Sequence, residues 1–283
     1  MSMSESTHPT VHDYTVEYSA KQETVVIKVG GSVLENLSDT FFKEIIYLLN
    51  QGWFPVIVHG GGPSITKMLN RLGIVSSFHQ GLRITDEKTL EIVQMVLNGK
   101  ENKEMVKRIQ QAGGNAIGLS GIDNNMIVAE PLDSNLGYVG SIKKVSFPMV
   151  SYLRENKIIP VISPLGTDEK GQIYNINADT VAQALASHLK AKKVFLVSDV
   201  PGIYTEKGGK KETLKVISYK DINQLKKSNQ ISGGMIPKME AATQCLLQGT
   251  EEIYVLDGRE EGALSKIYHH QAVGTKILKS GVV

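Results

Sequence analysis

Two lysines, an aspartate and three glycine turns carry the chemistry of this sequence. Lys28 sits inside the apolar, β-branched run Thr24-Val25-Val26-Ile27-Lys28-Val29 and is followed by Gly30-Gly31-Ser32. Such a run reads as a strand buried on both faces. A lysine within it either has a partner, because desolvating an unpaired ammonium is costly, or lies near the strand end and snorkels to water. The glycines let the backbone turn sharply and come close to a bound group. Gly60-Gly61-Gly62 stands directly before a helical pattern opening at Pro63. Its bare amides could close on a carboxylate or phosphate, or simply form a tight turn. Lys238 follows Gly233-Gly234-Met235-Ile236-Pro237 at the start of a helix. A cation there opposes the helix dipole unless an anion is bound.

Further positions belong to the same group. Arg83, beside Gly81, is either a solvated arginine or a two-pronged grip for a carboxylate. Asn175, Asn177 and Asp179 precede an Ala/Leu-rich helix. Asn177 is its cap, which leaves Asn175 and Asp179 free to point into a cleft. Asp199 follows an apolar strand and either accepts from a ribose or base donor or caps. His59 packs or caps, since no serine or cysteine partner for nucleophilic catalysis accompanies it.

These parts suit phosphoryl transfer, which needs positioning and neutralisation of spreading negative charge more than a protein nucleophile. Lys28 and Lys238 would flank the moving group from opposite lobes, with Asp179 holding both. No general base is required if the acceptor is already a carboxylate. The chain has no G-x-x-x-x-G-K-[ST], and Gly60 and Gly62 are followed by Ile65 where a dinucleotide fingerprint needs a third glycine. No spacing of His, Cys, Asp and Glu forms a metal site. A divalent ion would arrive with a nucleotide.

The elements that must position these residues alternate. A strand over 24–29, a helix over 38–50, a strand over 54–58 and a helix from Pro63 predict a parallel sheet covered by helices. Thr85 is the expected N-cap of a helix reaching about residue 97, and a separate helix spans 100–111. A strand at 116–119 precedes antiparallel hairpins over 126–145 at one side of the sheet. A helix at 147–155 and a strand at 158–162 follow, and Pro164-Leu165-Gly166 opens a loop. A second lobe begins near 172. It holds a helix to about 189, a strand at 193–197, a charged excursion over 206–215 and a helix at 219–227. A helix to about 248, a strand at 252–256, a helix at 262–269 and a last strand at 275–278 finish it.

Composition narrows the function classes. The 283 residues are 41% hydrophobic and 21% charged, as in an ordinary globular protein. The net charge of +2 implies no polyanionic partner, and no basic patch interleaved with aromatics speaks for nucleic acid. No run approaches the roughly 18 apolar residues of a membrane span. The polar first 20 or so residues lack a signal-peptide core, and the single cysteine, Cys245, suits a reducing compartment. The expected location is the cytoplasm. Cys245 reads as a small core residue of an amphipathic helix.

In this order, Ile27-Lys28-Val29-Gly30-Gly31, Val58-His59-Gly60-Gly61-Gly62-Pro63, Gly81-Leu82-Arg83-Ile84-Thr85, Asn175-Ile176-Asn177-Ala178-Asp179, Ser198-Asp199-Val200-Pro201-Gly202 and Gly233-Gly234-Met235-Ile236-Pro237-Lys238 resemble the acetylglutamate kinases of the amino acid kinase family. The first and fifth elements are shared across the wider fold; the second, third and fourth are the more specific. The resemblance covers nearly everything but the N-terminal tail. It implies an open three-layer αβα sandwich around a mainly parallel sheet, with a tail over 1–22, an acceptor lobe over 23–171 and an ATP lobe over 172–283. It implies that Gly61, Gly62, Arg83 and Asn175 bind acetylglutamate, that Lys28 and Lys238 stabilise the transition state, and that Asp179 organises them. Nucleotide contacts would come from Gly30 and Gly31, from Asp199, Val200, Pro201, Gly202, Ile203 and Tyr204, and from Gln230, Ile231 and Ser232. ATP is the implied co-substrate, with Mg2+ entering on it, and a homodimer or higher homo-oligomer is the implied assembly. The implied reaction makes an acyl phosphate on the γ-carboxylate of N-acetylglutamate, an early step of arginine synthesis. Two features of arginine-inhibited members are missing: an apolar helix stripe in the tail, and an acidic residue in Gly274-Thr275-Lys276-Ile277-Leu278-Lys279. The alternatives are a kinase of the same fold for a longer acyl amino acid, aspartate or a nucleoside monophosphate, and a non-catalytic ligand sensor.

Overall fold

The computed structural model describes residues 22–207, 210–228, 230–231 and 235–280. The expected tail lies outside these residues apart from Gln22, as does Ser232. Chain order begins β1 (Glu23–Val29), α1 (Asp39–Asn50), β2 (Trp53–His59), α2 (Gly62–Arg71), β3 (Phe78–His79), β4 (Leu82–Arg83) and α3 (Glu87–Gln94). A π-helical segment (Met95–Glu101), α4 (Asn102–Gln111), β5 (Asn115–Ser120), β6 (Ile127–Pro131), β7 (Gly140–Val145), α5 (Val150–Glu155) and β8 (Ile158–Ser163) follow. Next come β9 (Leu165–Thr167), β10 (Ile173–Asn175), α6 (Ala178–His188), β11 (Lys193–Ser198), β12 (Tyr204–Lys207), β13 (Lys210–Thr213) and β14 (Val216–Ser218). The chain closes with α7 (Tyr219–Lys227), α8 (Met235–Leu247), β15 (Glu252–Asp257), α9 (Ala263–Tyr268) and β16 (Thr275–Leu278).

Eight strands form the central sheet in the order β14-β16-β15-β11-β1-β2-β8-β5. All neighbours pair in parallel except β15 and β16. β1 lies at the centre and is buried from Thr24 to Val29, because helices cover both faces. On one face α1 packs against α9 and α4; on the other α6 packs against β1 and α8. The α1 stripe Phe41, Phe42, Ile45, Leu48 and Leu49 enters the core, and Ser38 caps its first turn by accepting from Phe41 N. Cys245 is in the core, and burial pushes its thiol up to about 12. The C-terminal ends of β1, β2 and β11 share one edge of the sheet, where ligands of parallel α/β sheets bind. The turns at Gly30-Gly31 and Gly60-Gly61-Gly62 sit on that edge.

The architecture is the expected α/β sandwich, with local differences. The 126–145 strands do not flank the main sheet. β6 and β7 join β9 and β10 in a separate four-stranded sheet. Pro164-Leu165-Gly166 is no simple loop, since Leu165 opens β9. The helix over 87–111 is unbroken: the π segment carries it past Gly99. Asp86, not Thr85, is the N-cap of α3, accepting from Thr89 N at 2.8 Å. The β14 strand has no counterpart in the expected elements. Residue 172 lies in the short connection between β9 and β10, which pair antiparallel.

Candidate active site

One cavity of about 460 Å³ gathers residues far apart in the sequence: Lys28, Gly31, Gly60, Gly61, Gly62, Arg83, Asn175 and Asp179 are all in its wall. Its chemistry follows from which chain ends meet there. β1 delivers Lys28, β2 delivers the glycine run, and the N-terminal turns of α2 and α6 point their partial positive charge at it.

Lys28 is 6% exposed, so it does not snorkel. Its Nζ stands 2.9 Å from Asp179 Oδ1. Asp179 is set in the first turn of α6, where Asn177 Oδ1 caps the helix by accepting from Asp179 N at 2.8 Å. Lys238 lies in the first turn of α8. Burial, then the like charge of Lys28, holds its pKa below the ordinary lysine value, while Asp179 and Asp199 oppose that shift. The two lysines therefore act on each other electrostatically, with Asp179 in range of both.

Arg83 is 7% exposed, which corrects the solvated alternative. Its guanidinium donates to Ser76 Oγ, to Gly62 O at 3.0 Å and to Thr66 Oγ1 at 2.8 Å, and sits over the Phe78 ring. Burial lowers its pKa. None of the salt bridges among the described residues pairs it with a carboxylate. A buried cation in a cavity wall without a counter-ion is a place for an anionic ligand. Asn175 donates from Nδ2 to Thr85 Oγ1 at 3.2 Å, and Thr85 donates to Arg83 O at 2.8 Å. Thr85 thus ties the two residues together, a role hidden in the sequence by its resemblance to a cap.

The turns at Gly31 and at Gly60-Gly61-Gly62 touch. A Cβ on Gly31 would stand 2.8 Å from Gly61 N and 2.9 Å from Gly62 N. Because those atoms are backbone, Gly31→Ala must push the turns apart. Displacements of about 1 Å can cost on the order of 10²-fold in rate, so kcat/KM for Gly31→Ala is expected to fall by about that factor, with the unfolding transition retained in circular dichroism. A Cβ on Gly61 would meet Leu97 Cδ2 at 2.7 Å. Leu97 belongs to the π segment, which the sequence pattern did not reveal. Its signal is the apolar set Val93, Val96, Leu97 falling out of phase with Met105 and Ile109 across Asn98-Gly99. Together with Ile65, Leu69, Ile92 and Leu165, the first three form a small core beneath the cavity.

Under the glycine run lies His59, fully buried. Burial pushes its pKa down to about 4, so the folded protein holds it neutral while the unfolded chain protonates it near 6.5. The unfolded state binds more protons between those values, and stability falls as pH drops through that window. The loss from this one group reaches about 3 kcal/mol by pH 4. Denaturant midpoints of the wild type and His59→Asn should therefore converge as pH falls from 7 to 4.

The residues expected to contact nucleotide lie mainly after β11 and before α8. Asp199 is exposed, and its carbonyl accepts from Arg259 Nη2 at 2.8 Å, while Asp257 holds that guanidinium at 2.7–2.9 Å. Val200 and Pro201 lie on the loop after β11, Tyr204 opens β12, and Gly202 takes a φ of +146° against Thr275. Ile203 and Ile231 send their side chains into the core, and the Ile203 backbone is held by Thr275 Oγ1, which accepts from its N–H at 2.8 Å, and by Leu214 N, which donates to its carbonyl at 2.8 Å; Gln230 is exposed. Gly30 donates its N–H to Val197 O at 2.8 Å. None of these residues except the neighbouring Gly31 lines the 460 Å³ cavity.

Residues 23–257 match the amino acid kinase family. An acetylglutamate kinase of Rhodopseudomonas palustris (strain BisB5) is 44% identical over 274 residues, 91% of each chain. One of Clostridioides difficile (strain 630) is 40% identical over 261 residues, again 91% of each. Among solved structures, smu.665 of Streptococcus mutans UA159 superposes with a TM-score of 0.79 at 28% identity, covering 91% of this chain and 99% of that one. The carbamate kinase of Giardia lamblia bound to AMP-PNP shares the fold, with a TM-score of 0.68 at 16% identity over 92% and 99% of the two chains. The chain belongs to the amino acid kinase family.

Proposed function

We propose that this chain transfers the γ-phosphoryl group of ATP to the γ-carboxylate of N-acetyl-L-glutamate, making N-acetyl-L-glutamyl 5-phosphate for arginine biosynthesis. The observation that carries the reading is the cavity itself. It brings Lys28 and Asp179 together with an uncompensated buried Arg83 and with Asn175. Relatives at 40–44% identity bear the same name as this activity.

In this reading Arg83 grips the α-carboxylate and Asn175 holds the acylated amine, while the Gly61 and Gly62 amides face the reacting end. A γ-carboxylate oxygen attacks the γ-phosphorus, and the bond to the β–γ bridging oxygen breaks to release ADP. The nucleophile is already an anion, so no base is needed. Lys28 and Lys238 offset the charge that spreads over the equatorial oxygens, and Asp179 keeps both lysines in place. ATP lies along Gly30, Gly31, residues 199–204 and residues 230–231. Mg2+ enters on its phosphates.

We also assign the chain to the cytoplasm as a homodimer. The outer edge of β5 has no partner strand among the described residues, and an open edge is a surface on which a second copy can pair.

A coupled ADP-release assay over a panel of acceptors tests the reading. N-acetylglutamate is expected to give the highest kcat/KM, ahead of N-acetyl-α-aminoadipate, aspartate and nucleoside monophosphates. Turnover with one of those and none with N-acetylglutamate would reject it. No turnover with any acceptor, alongside tight N-acetylglutamate binding, would favour a sensor.

A further inference from the structure

His59 closes β2 one residue before the glycine run and is fully buried. Its Nδ1 is 2.9 Å from Gly60 O. On the far side of the ring, Nε2 is 3.2 Å from Asn102 Nδ2 and 3.3 Å from Ser163 Oγ. The orientation of the Asn102 amide is fixed by its other contacts. Its Nδ2 faces Val161 O at 2.9 Å and Leu119 O at 3.2 Å, and its Oδ1 accepts from Lys103 Nζ at 3.2 Å. An amide nitrogen only donates, so Nε2 is the acceptor of the ring and Nδ1 carries the proton. The carbonyl of Gly60 can only accept, which requires the same tautomer.

The consequence lies in the peptide that follows. In a planar trans peptide the Gly60 carbonyl and the Gly61 N–H point in opposite directions. With the carbonyl held on the His59 side, the Gly61 N–H is turned away from the ring. Gly61 N lies beside the Gly31 turn, 2.8 Å from where a Cβ on Gly31 would stand, and both turns line the cavity. Three successive glycines offer no side chain of their own to hold this plane, and they carry more conformational freedom than any other sequence. The neutral ring suits the task, since protonated His59 would face Asn102 Nδ2 with a second donor.

We propose that His59 is a positioning residue whose Nδ1–H tautomer locks the Gly60–Gly61 peptide, so that the Gly61 amide is preset toward the acceptor anion. Asn102 and Ser163 enforce that tautomer from behind. This inference rests on the acceptor site proposed above.

Two measurements test it. Nitrogen-15 NMR of histidine-labelled protein is expected to show a pyrrole-type Nδ1 and a pyridine-type Nε2 for His59, identified by its absence in His59→Asn. The opposite tautomer, or a doubly protonated ring at neutral pH, would overturn the lock. For activity, His59→Asn keeps a donor near the Nδ1 position, whereas His59→Gln moves its amide to the Nε2 side. His59→Gln is expected to raise the acceptor KM by about tenfold or more with the ATP KM unchanged, and His59→Asn to recover most of the loss. Equal impairment of the two variants, or a loss shared by both substrates, would overturn it. If a variant fails to fold, the wild-type tautomer decides. If wild-type protein does not phosphorylate N-acetylglutamate, the acceptor reading fails separately, and the tautomer still tests the lock.

Discussion

Replacing Lys28 by methionine is expected to lower kcat by about 10²–10³-fold, the usual cost of removing one preorganised group from a developing negative charge. The argument starts from burial. Lys28 is 6% exposed, on a central strand, and 2.9 Å from Asp179. Such an ion pair is expensive to keep if it serves only the fold, because well-packed apolar residues stabilise a core as well or better. Methionine removes the ammonium and leaves the Asp179 carboxylate uncompensated, which costs about 3–5 kcal/mol when a buried pair is broken. Lost activity alone would therefore be ambiguous. Adding Asp179→Asn removes the stranded charge. The double variant is expected to regain thermal stability and to stay inactive. Recovery of activity along with stability would show that the pair serves the fold and not the reaction.

Arg83→Ala is expected to raise the acceptor KM by about 10–100-fold, in line with the roughly 1.5–3 kcal/mol of a charge-assisted hydrogen bond, with the ATP KM nearly unchanged. The side chain is anchored before any ligand arrives, by Gly62 O, Thr66 Oγ1 and Ser76 Oγ. A guanidinium has five donors, so the three contacts leave some for an incoming carboxylate. Arg83→Lys should rescue little, since an ammonium cannot reproduce the fork. A selective ATP defect in Arg83→Ala would contradict the placement of the acceptor beside α2. Initial-rate kinetics with each substrate varied in turn make the distinction.

The legible part of this protein was the part written locally. Gly30-Gly31 and Gly60-Gly61-Gly62 each end an apolar strand, and parallel sheets expose those ends on one edge, so their convergence followed from topology. The Asn177 cap and the α1 stripe were readable for the same reason, since both depend on residues a few positions apart. Lys28 was the strongest single signal, because an ammonium in a buried strand needs an explanation. What stayed hidden depends on partners distant in sequence. The burial of Arg83 is created by Thr66 and Ser76, which no periodicity marks. Thr85 has the residue type of a cap and the position before an acidic first turn, yet Asn175 claims its hydroxyl. Asp86 caps the helix instead. The π segment adds a residue to a helical turn, which shifts the apolar phase and reads as two helices with a break. β9 and β10 are too short to show alternation and owe their existence to pairing with each other and with β6.

The central claim is that the two lysines and the acceptor cavity act on one phosphoryl group bound for a carboxylate. Hydroxylamine trapping tests it most directly, because an acyl phosphate yields a hydroxamate and other phosphorylated products do not. With ATP, Mg2+ and N-acetylglutamate, the wild type should form hydroxamate in step with ADP, and both signals should fall together in Lys28→Met. ADP released without hydroxamate, or hydroxamate formed undiminished by Lys28→Met, would contradict the account.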